Sequence, residues 1–312
     1  MKKTAVVALG GNAIGTTGKE DIHEQFANTR KSLVGIVELI KEGYNLAITH
    51  GNGPQVGNAL LRVERTMDAI PALPLGVIVA DTEGGMGYMI EQSLQNRFFR
   101  EGISRKVVTI VTQVIVDRDD PSIKNPTKPI GPFYTKEQAE RLAKRYHWIV
   151  REDSGRGFRR VVPSPIPREI VEKDIIKSLV ASGTIVIAAG GGGAPVYIED
   201  DGAFEGVDAV VDKDRASAVL AHNIGAEILV ILTTVDKVCL NYKKPDEKPL
   251  SWISLSDAKR YLSEGHFQPG SMGPKIEAAI QFLESGGGQV IITSLELVKD
   301  ALEGKTGTKI IP

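Results

Sequence analysis

Short apolar, β-branched runs punctuate the 312-residue chain, and segments with helical spacing lie between them. The runs Ala5–Leu9, Leu46–Thr49, Val107–Val116, Thr184–Ala188, Ile228–Leu232 and Val290–Thr293 read as strands. Leu33, Ile36, Val37 and Ile40 recur on one helical face that Gly43 ends, and Met86, Ile90, Leu94 and Phe98 form a second stripe, belonging to the core or to a subunit interface. Strand and helix in alternation predict an α/β fold, a mainly parallel sheet with helices on both faces.

One stretch breaks the alternation. Between Asp117 and Pro167 the prolines 121, 126, 129, 132, 163, 165 and 167 crowd together, with one helix-like segment at Thr135–Arg145. Its ends carry cations and aromatics: Lys124, Lys128, Phe133 and Tyr134, then Arg156, Phe158, Arg159 and Arg160. An insertion of this length between sheet strands predicts an arm over a site, stiffened by its prolines. A solvated basic appendage is the plainer alternative.

Three strand-like runs empty into glycine clusters: Gly10-Gly11-Asn12, His50-Gly51-Asn52-Gly53-Pro54 and Gly190-Gly191-Gly192-Gly193. Each is expected to open a helix, whose N-terminal N–H groups would face an anion. Steric demand in tight turns would explain any one of them; three together point to phosphate or carboxylate binding. None is a Walker A loop. Gly304-Lys305-Thr306 resembles the end of one, but Lys299 stands where its first glycine belongs, and the segment reads as a turn into a last strand. The spacing of Gly10, Gly11 and Gly15 does not fit a dinucleotide fingerprint.

Composition narrows the partners. Lys+Arg 38 against Asp+Glu 39 leaves a net charge of −1, which argues against a nucleic-acid partner. A single cysteine, Cys239, cannot form an intrachain disulfide, and no run of about 18 apolar residues is present to span a membrane. Met1-Lys2-Lys3-Thr4 leads straight into a strand. A cytoplasmic, soluble protein is expected.

Longer strings then become specific. Ala8-Leu9-Gly10-Gly11-Asn12-Ala13, Thr49 to Gly57, Asn125 to Tyr134, Glu152 to Gly157, Val161 to Pro165, Asp212-Lys213-Asp214, Gly270-Ser271-Met272-Gly273-Pro274-Lys275 and Gly304 to Thr308 closely resemble the carbamate kinase family, in order and over essentially the whole chain. The glycine loops alone would indicate only the wider amino-acid kinase superfamily. The proline-rich arm and Gly-Ser-Met-Gly-Pro-Lys narrow it.

The resemblance implies reversible phosphoryl transfer, ATP plus carbamate giving ADP plus carbamoyl phosphate, with Mg²⁺ carried by the nucleotide and no protein metal site assigned. In organisms that ferment arginine the family runs toward ATP. The resemblance also implies a three-layer αβα sandwich around about eight mainly parallel strands, with the arm protruding, and a homodimer. Residues 1–312 would form one domain: about 1–215 for carbamate and phosphoryl binding, including the arm at about 117–167, and about 216–312 for nucleotide. Lys128, Lys213, Lys275 and Asp214 would be catalytic, with Asp214 organising the lysines. Gly10, Gly11, Asn12, Gly51, Asn52 and Gly53 would hold substrate and phosphoryl oxygens. Thr233, Tyr242, Met272, Gly273 and Pro274 would contact nucleotide, although Thr234 departs from the family's usual pattern there.

Such chemistry suits these residue types. Phosphoryl transfer needs alignment and charge neutralisation more than covalent help. Two unit anions at about 4 Å repel by roughly 4 kcal/mol at an effective dielectric of 20, so cations must surround them. Lys213 lies between two aspartates, and Lys275 follows a Gly-Pro turn at a helix start, where the macrodipole disfavours a cation. Ion pairing for Lys213 and an ordinary surface position for Lys275 are the plainer readings. Carbamate is already anionic and needs no base, so His50 reads as a turn histidine bonding backbone. The alternative functions are another small-acid kinase of the superfamily and a catalytically silent nucleotide sensor.

Overall fold

A computed structural model describes residues 3–10, 14, 15, 20–153, 155–268 and 270–312. Eight strands form the main sheet, in the order Trp252–Ser254, Thr308–Ile311, Gln289–Ser294, Ile228–Thr233, Thr4–Leu9, Asn45–His50, Ile185–Ile187, Val107–Thr109. Neighbours are parallel except for Gln289–Ser294 against Thr308–Ile311.

The central strands are largely apolar because both faces are covered. Their side chains alternate between two cores. Val6, Ala8, Ala47, Val186, Leu229, Ile231 and Val290 pack with Ile176, Leu220, Ile276 and Phe282 of the helices on one face. Ala5, Val7, Leu46, Ile48, Ile185, Ile228 and Val230 pack with Ile36, Val37, Ile40, Met86, Ile90, Leu94 and Phe98 on the other. The Met86 stripe is therefore core, carried by the helix Leu75–Glu101. This is the expected αβα sandwich.

The run Val107–Val116 is two strands. Val107–Thr109 ends the main sheet, whereas Gln113–Ile115 enters a second sheet with Phe204–Gly206, Ala194–Ile198 and Glu169–Ile170. The break is held by Thr112, fully buried, whose Oγ donates to the Ile110 carbonyl at 2.9 Å and accepts the Ala189 N–H at 2.9 Å.

The arm has its own sheet, Lys128–Tyr134, Phe158–Val162 and Val150–Glu152, with the helix Lys136–Tyr146 between two of its strands. Thr135 starts that helix through a capping box with Gln138. Ile130 and Val162 join Val56, Leu60, Leu75, Ile78 and Val79 in a small third core, which seats the arm on the helix Gly53–Thr66. Tyr134 adds a hydrogen bond to Glu64 Oε2 at 2.7 Å. Departing and returning chain are paired: Val114 lies opposite Ile170, Ile115 opposite Glu169, and Arg168 N–H donates to the Ile115 carbonyl at 2.8 Å.

Candidate active site

The expectation that each glycine cluster opens a helix holds for the second and fails for the third; for the first it falls on residues outside those described. Gly53 begins the helix Gly53–Thr66 directly, with Pro54 in its first turn. After Gly10 the next helix in the described residues is Ile22–Ser32, capped by Asp21. Gly190–Gly192 forms a short 3₁₀ turn that leads into the strand Ala194–Ile198. Gly191, Gly192 and Gly193 have φ of 65°, 100° and 82°, from which a right-handed helix cannot continue.

The third cluster is packing rather than cradle. A methyl on Gly190 would stand 2.4 Å from His50 Nε2, and one on Gly191 would stand 2.0 Å from Asn52 Nδ2. The glycines let this turn press against the back of the His50–Gly53 loop. Asn52 is fixed further by donating from Nδ2 to Thr82 Oγ at 2.9 Å.

Gly10 and Gly51 follow adjacent parallel strands at their carboxyl ends, where open α/β sheets bind ligands. The Gly51 N–H donates to the Leu9 carbonyl at 3.1 Å, so it is not available to an anion as expected. The loop's free donors belong instead to the first turn of the helix at Gly53, where N–H groups have no intrahelical partner. Gly11 and Asn12 lie outside the described residues.

The charged centre stands on two other helices. Asp212 caps the helix Lys213–Ile224, its Oδ1 accepting from the N–H groups of Asp214 and Arg215 at 3.0 and 3.3 Å. That cap places Lys213 and Asp214 in the first turn. Asp214, 4% exposed, holds Lys213 Nζ at 2.7 Å on Oδ1 and Lys275 Nζ at 2.8 Å on Oδ2. Lys275 comes from the first turn of the helix Met272–Glu284. The arm contributes Lys128, whose Nζ donates to the Val211 carbonyl at 3.2 Å and lies 3.8 Å from Asp212. The structure thus brings the four expected catalytic residues together.

Their ionisation follows from burial and charge. Burial alone would raise the Asp214 carboxyl, but the ammonium groups of Lys213 and Lys275 outweigh it and bring the pKa down to about 2. Burial lowers the Lys213 and Lys128 ammonium groups, opposed for Lys213 by Asp214 and for Lys128 by Asp212. The Lys213–Asp214 contact lies outside hydrogen-bond geometry, and among the described residues nothing else accepts from Lys213 Nζ. Its donors are left for a third group. Three lysines against two aspartates leave one net positive charge, suited to an anion.

A buried hydroxyl chain ties this helix to the His50–Gly53 loop. Ser217 donates to the Lys213 carbonyl at 2.7 Å, so Thr49, beside His50, must donate to Ser217 at 2.6 Å. His50 is buried and bonds the Gly51 carbonyl at 3.3 Å, the backbone-bonding role expected of it.

Thr233, Tyr242 and Met272 line a common cleft of about 100 Å³ with Thr234, Cys239 and His266. Gly273 and Pro274 do not line it, and the Gly273 N–H is taken by the Gln268 carbonyl at 3.0 Å. Thr82 and Glu83 were missed in the sequence. They extend the Met86–Ile90 stripe one turn toward the N-terminus, and polar residues on a core stripe were the available signal.

Residues 3–294 match the model of the amino acid kinase family. A carbamate kinase of Pyrococcus furiosus is 51% identical over 315 residues, covering 100% of both chains. One from Clostridium perfringens is 49% identical over 311 residues, covering 98% of this chain and 99% of its own. Among solved structures, carbamate kinase from Giardia lamblia bound to AMP-PNP superposes with a TM-score of 0.93 at 45% identity, over 99% of this chain and 98% of that one. The chain belongs to the amino acid kinase family and, within it, to the carbamate kinases.

Proposed function

We propose that this protein catalyses reversible phosphoryl transfer between ATP and carbamate, giving ADP and carbamoyl phosphate. The observation that carries this reading is one buried carboxylate, Asp214, ion-paired with two lysines from the first turns of two different helices. Asp214 cannot serve as a base, because both oxygens are engaged and its pKa is about 2. It fixes Lys213 and Lys275 where charge develops on the equatorial phosphoryl oxygens. The N-terminus of the helix at Gly53 faces the acceptor anion, and Lys128 closes the site from the arm. The cleft at Thr233, Tyr242 and Met272 takes the nucleotide base.

Magnesium fits as a passenger of the nucleotide phosphates, because the carboxylate at the centre is already ion-paired with two ammonium groups. When bound, it neutralises phosphate charge. Residues 1–312 act as one domain, its parts before and after about 215 serving acceptor and nucleotide, in the cytoplasm and running toward ATP in arginine catabolism. A homodimer is supported by an apolar groove beside the helix Leu75–Glu101, flanked by exposed Ile22, Leu73 and Tyr88.

The test is ATP formation from ADP with carbamoyl phosphate, acetyl phosphate and acetylglutamyl phosphate as donors, and with UDP as a competing acceptor. Selective use of carbamoyl phosphate and ADP is expected. Preference for another acyl phosphate would overturn the reading.

A further inference from the structure

Behind the His50–Gly53 loop two buried polar atoms lack hydrogen-bond partners among the described residues, and their needs are complementary. His50, 1% exposed, directs Nδ1 at the Gly51 carbonyl at 3.3 Å. A carbonyl only accepts, so Nδ1 carries the proton. Burial, and then the Lys213 charge, hold the ring's pKa near 4 against the pull of the Gly51 carbonyl, so the ring is neutral. Nε2 is then a bare acceptor, and among the described residues nothing donates to it.

Glu83, also 1% exposed, accepts the Thr112 N–H on Oε2 at 3.1 Å, while Oε1 has no hydrogen-bond partner among the described residues. Burial and the Glu172 carboxylate push its pKa well above the usual range, against the backbone amides of Thr112, Ala194 and Gly190, which favours the protonated carboxyl. An acid whose one oxygen accepts has an O–H to give on the other. Both residues flank Gly190, where a methyl would stand 2.4 Å from His50 Nε2 and 3.1 Å from Glu83 Cγ. An unmet acceptor and a carboxyl oxygen without a partner, each costly when buried, thus belong to two residues that both border Gly190.

We infer that Glu83 is a positioning residue of the phosphoryl-transfer site, donating from Oε1–H to His50 Nε2 directly or through a single water. Thr82, its neighbour, already accepts from Asn52. Two consecutive residues of the helix Leu75–Glu101 then grip the loop on both sides of Gly51, and so set where the helix at Gly53 points. The inference rests on the function proposed above, but its first observable does not.

That observable is the ¹⁵N spectrum of histidine-labelled protein, with His50 assigned by its loss in His50→Gln. A neutral Nδ1–H ring is expected from about pH 5 to about pH 8, with Nε2 at a hydrogen-bonded shift that reverts in Glu83→Leu. The second readout is kinetic. Gln reproduces a protonated Glu, its carbonyl accepting from Thr112 and its amide donating to His50. Glu83→Gln should therefore keep kcat within about threefold, whereas Glu83→Leu should lower it about 10- to 100-fold with the KM for ADP unchanged, the scale of a small misplacement.

A Gln variant as impaired as Leu would show that the carboxyl is ionised and overturn the inference. So would an Nε2 shift indifferent to Leu, and so would a normal kcat in Glu83→Leu, which would remove the positioning role. If Glu83→Leu does not fold, the wild-type spectrum and the Gln variant still decide. A protein using another acyl phosphate would refute the proposed function while leaving the spectrum to report on the pair.

Discussion

Lys275 reaches Asp214 across 61 residues of chain, its Nζ donating to Oδ2 at 2.8 Å. Lys213 occupies the other oxygen, so each lysine is held by a group the other also needs. Replacing either with alanine should lower kcat by about 10²- to 10³-fold, the scale for removing one preorganised charge-stabilising donor. Far-ultraviolet circular dichroism and thermal melting should show the fold retained. Turnover near wild type in either variant would remove that lysine from the mechanism.

Lys128 gives a different kinetic signature. It stands on the arm and touches the Val211 carbonyl and Asp212, away from the nucleotide cleft. Lys128→Ala should lower kcat and kcat/KM for carbamoyl phosphate together, the pattern for an interaction made chiefly in the transition state. ADP affinity, measured by calorimetry, should change little. An unchanged kcat/KM would make the arm a surface appendage.

The arm should also be the more mobile part. Its seat is the small core around Ile130 and Val162 with polar ties such as Tyr134 to Glu64 and Lys128 to the Val211 carbonyl, whereas the central strands are buried on both faces. Hydrogen exchange of amides 128–134 and 158–162 is expected to be faster than that of 4–9 and 45–50. Equal protection would show that the arm opens only with the whole fold.

Acidity should act on His50. Its pKa is about 4 when folded and 6.5 as a free side chain. Between those values the unfolded chain binds the extra proton, so His50 favours the folded state fully above 6.5 and loses that advantage as pH falls toward 4. The loss is about 3 kcal/mol. Glu83, raised rather than lowered, contributes with the opposite sign, favouring the fold below its usual 4.5 and losing that advantage as pH rises. Comparing wild type with His50→Gln isolates the histidine. Urea unfolding should show the stability gap between them narrowing on acidification, and a pH-independent gap would contradict the neutral ring.

Glycine 191 has both a left-handed φ of 65° and a neighbour 2.0 Å from where a methyl would stand. Gly202 has φ of 89° and nothing within 4 Å. Gly202→Ala should cost about 1 kcal/mol from backbone strain alone, whereas Gly191→Ala should add about 1–3 kcal/mol of overpacking. Denaturant midpoints would separate the two, and equal costs would show that the turn yields.

The layers were legible because strands buried on both faces leave unbroken apolar runs, and Met86, Ile90, Leu94 and Phe98 fall on one helical face. Among the candidate lysines, Lys275 was legible as a cation placed where a helix start disfavours it, Lys213 by its place between two aspartates, and Lys128 through the family resemblance. The division of Val107–Val116 was not, since Thr112 is uncharged and β-branched and reads as strand; what breaks the run is its side chain bonding Ile110 and Ala189. Nor could composition separate a glycine cluster that faces a ligand from one that makes room for His50 and Asn52, because that distinction is made by what lies opposite. Glu83 and Thr82 were hidden for a related reason: their partners Thr112 and Asn52 are 29 and 30 residues away, in loops with no periodicity.

Paired strands at its base give the arm the character of a cassette. Chain leaves at Ile115 and returns at Glu169 as neighbouring rungs of one ladder, about 5 Å apart. A tight turn can close that gap, and so can a segment of any length, without changing the register of the sheets beneath. Exchange of the whole arm between relatives is therefore an operation the scaffold tolerates by construction, with Lys128 the one candidate catalytic side chain that travels with it.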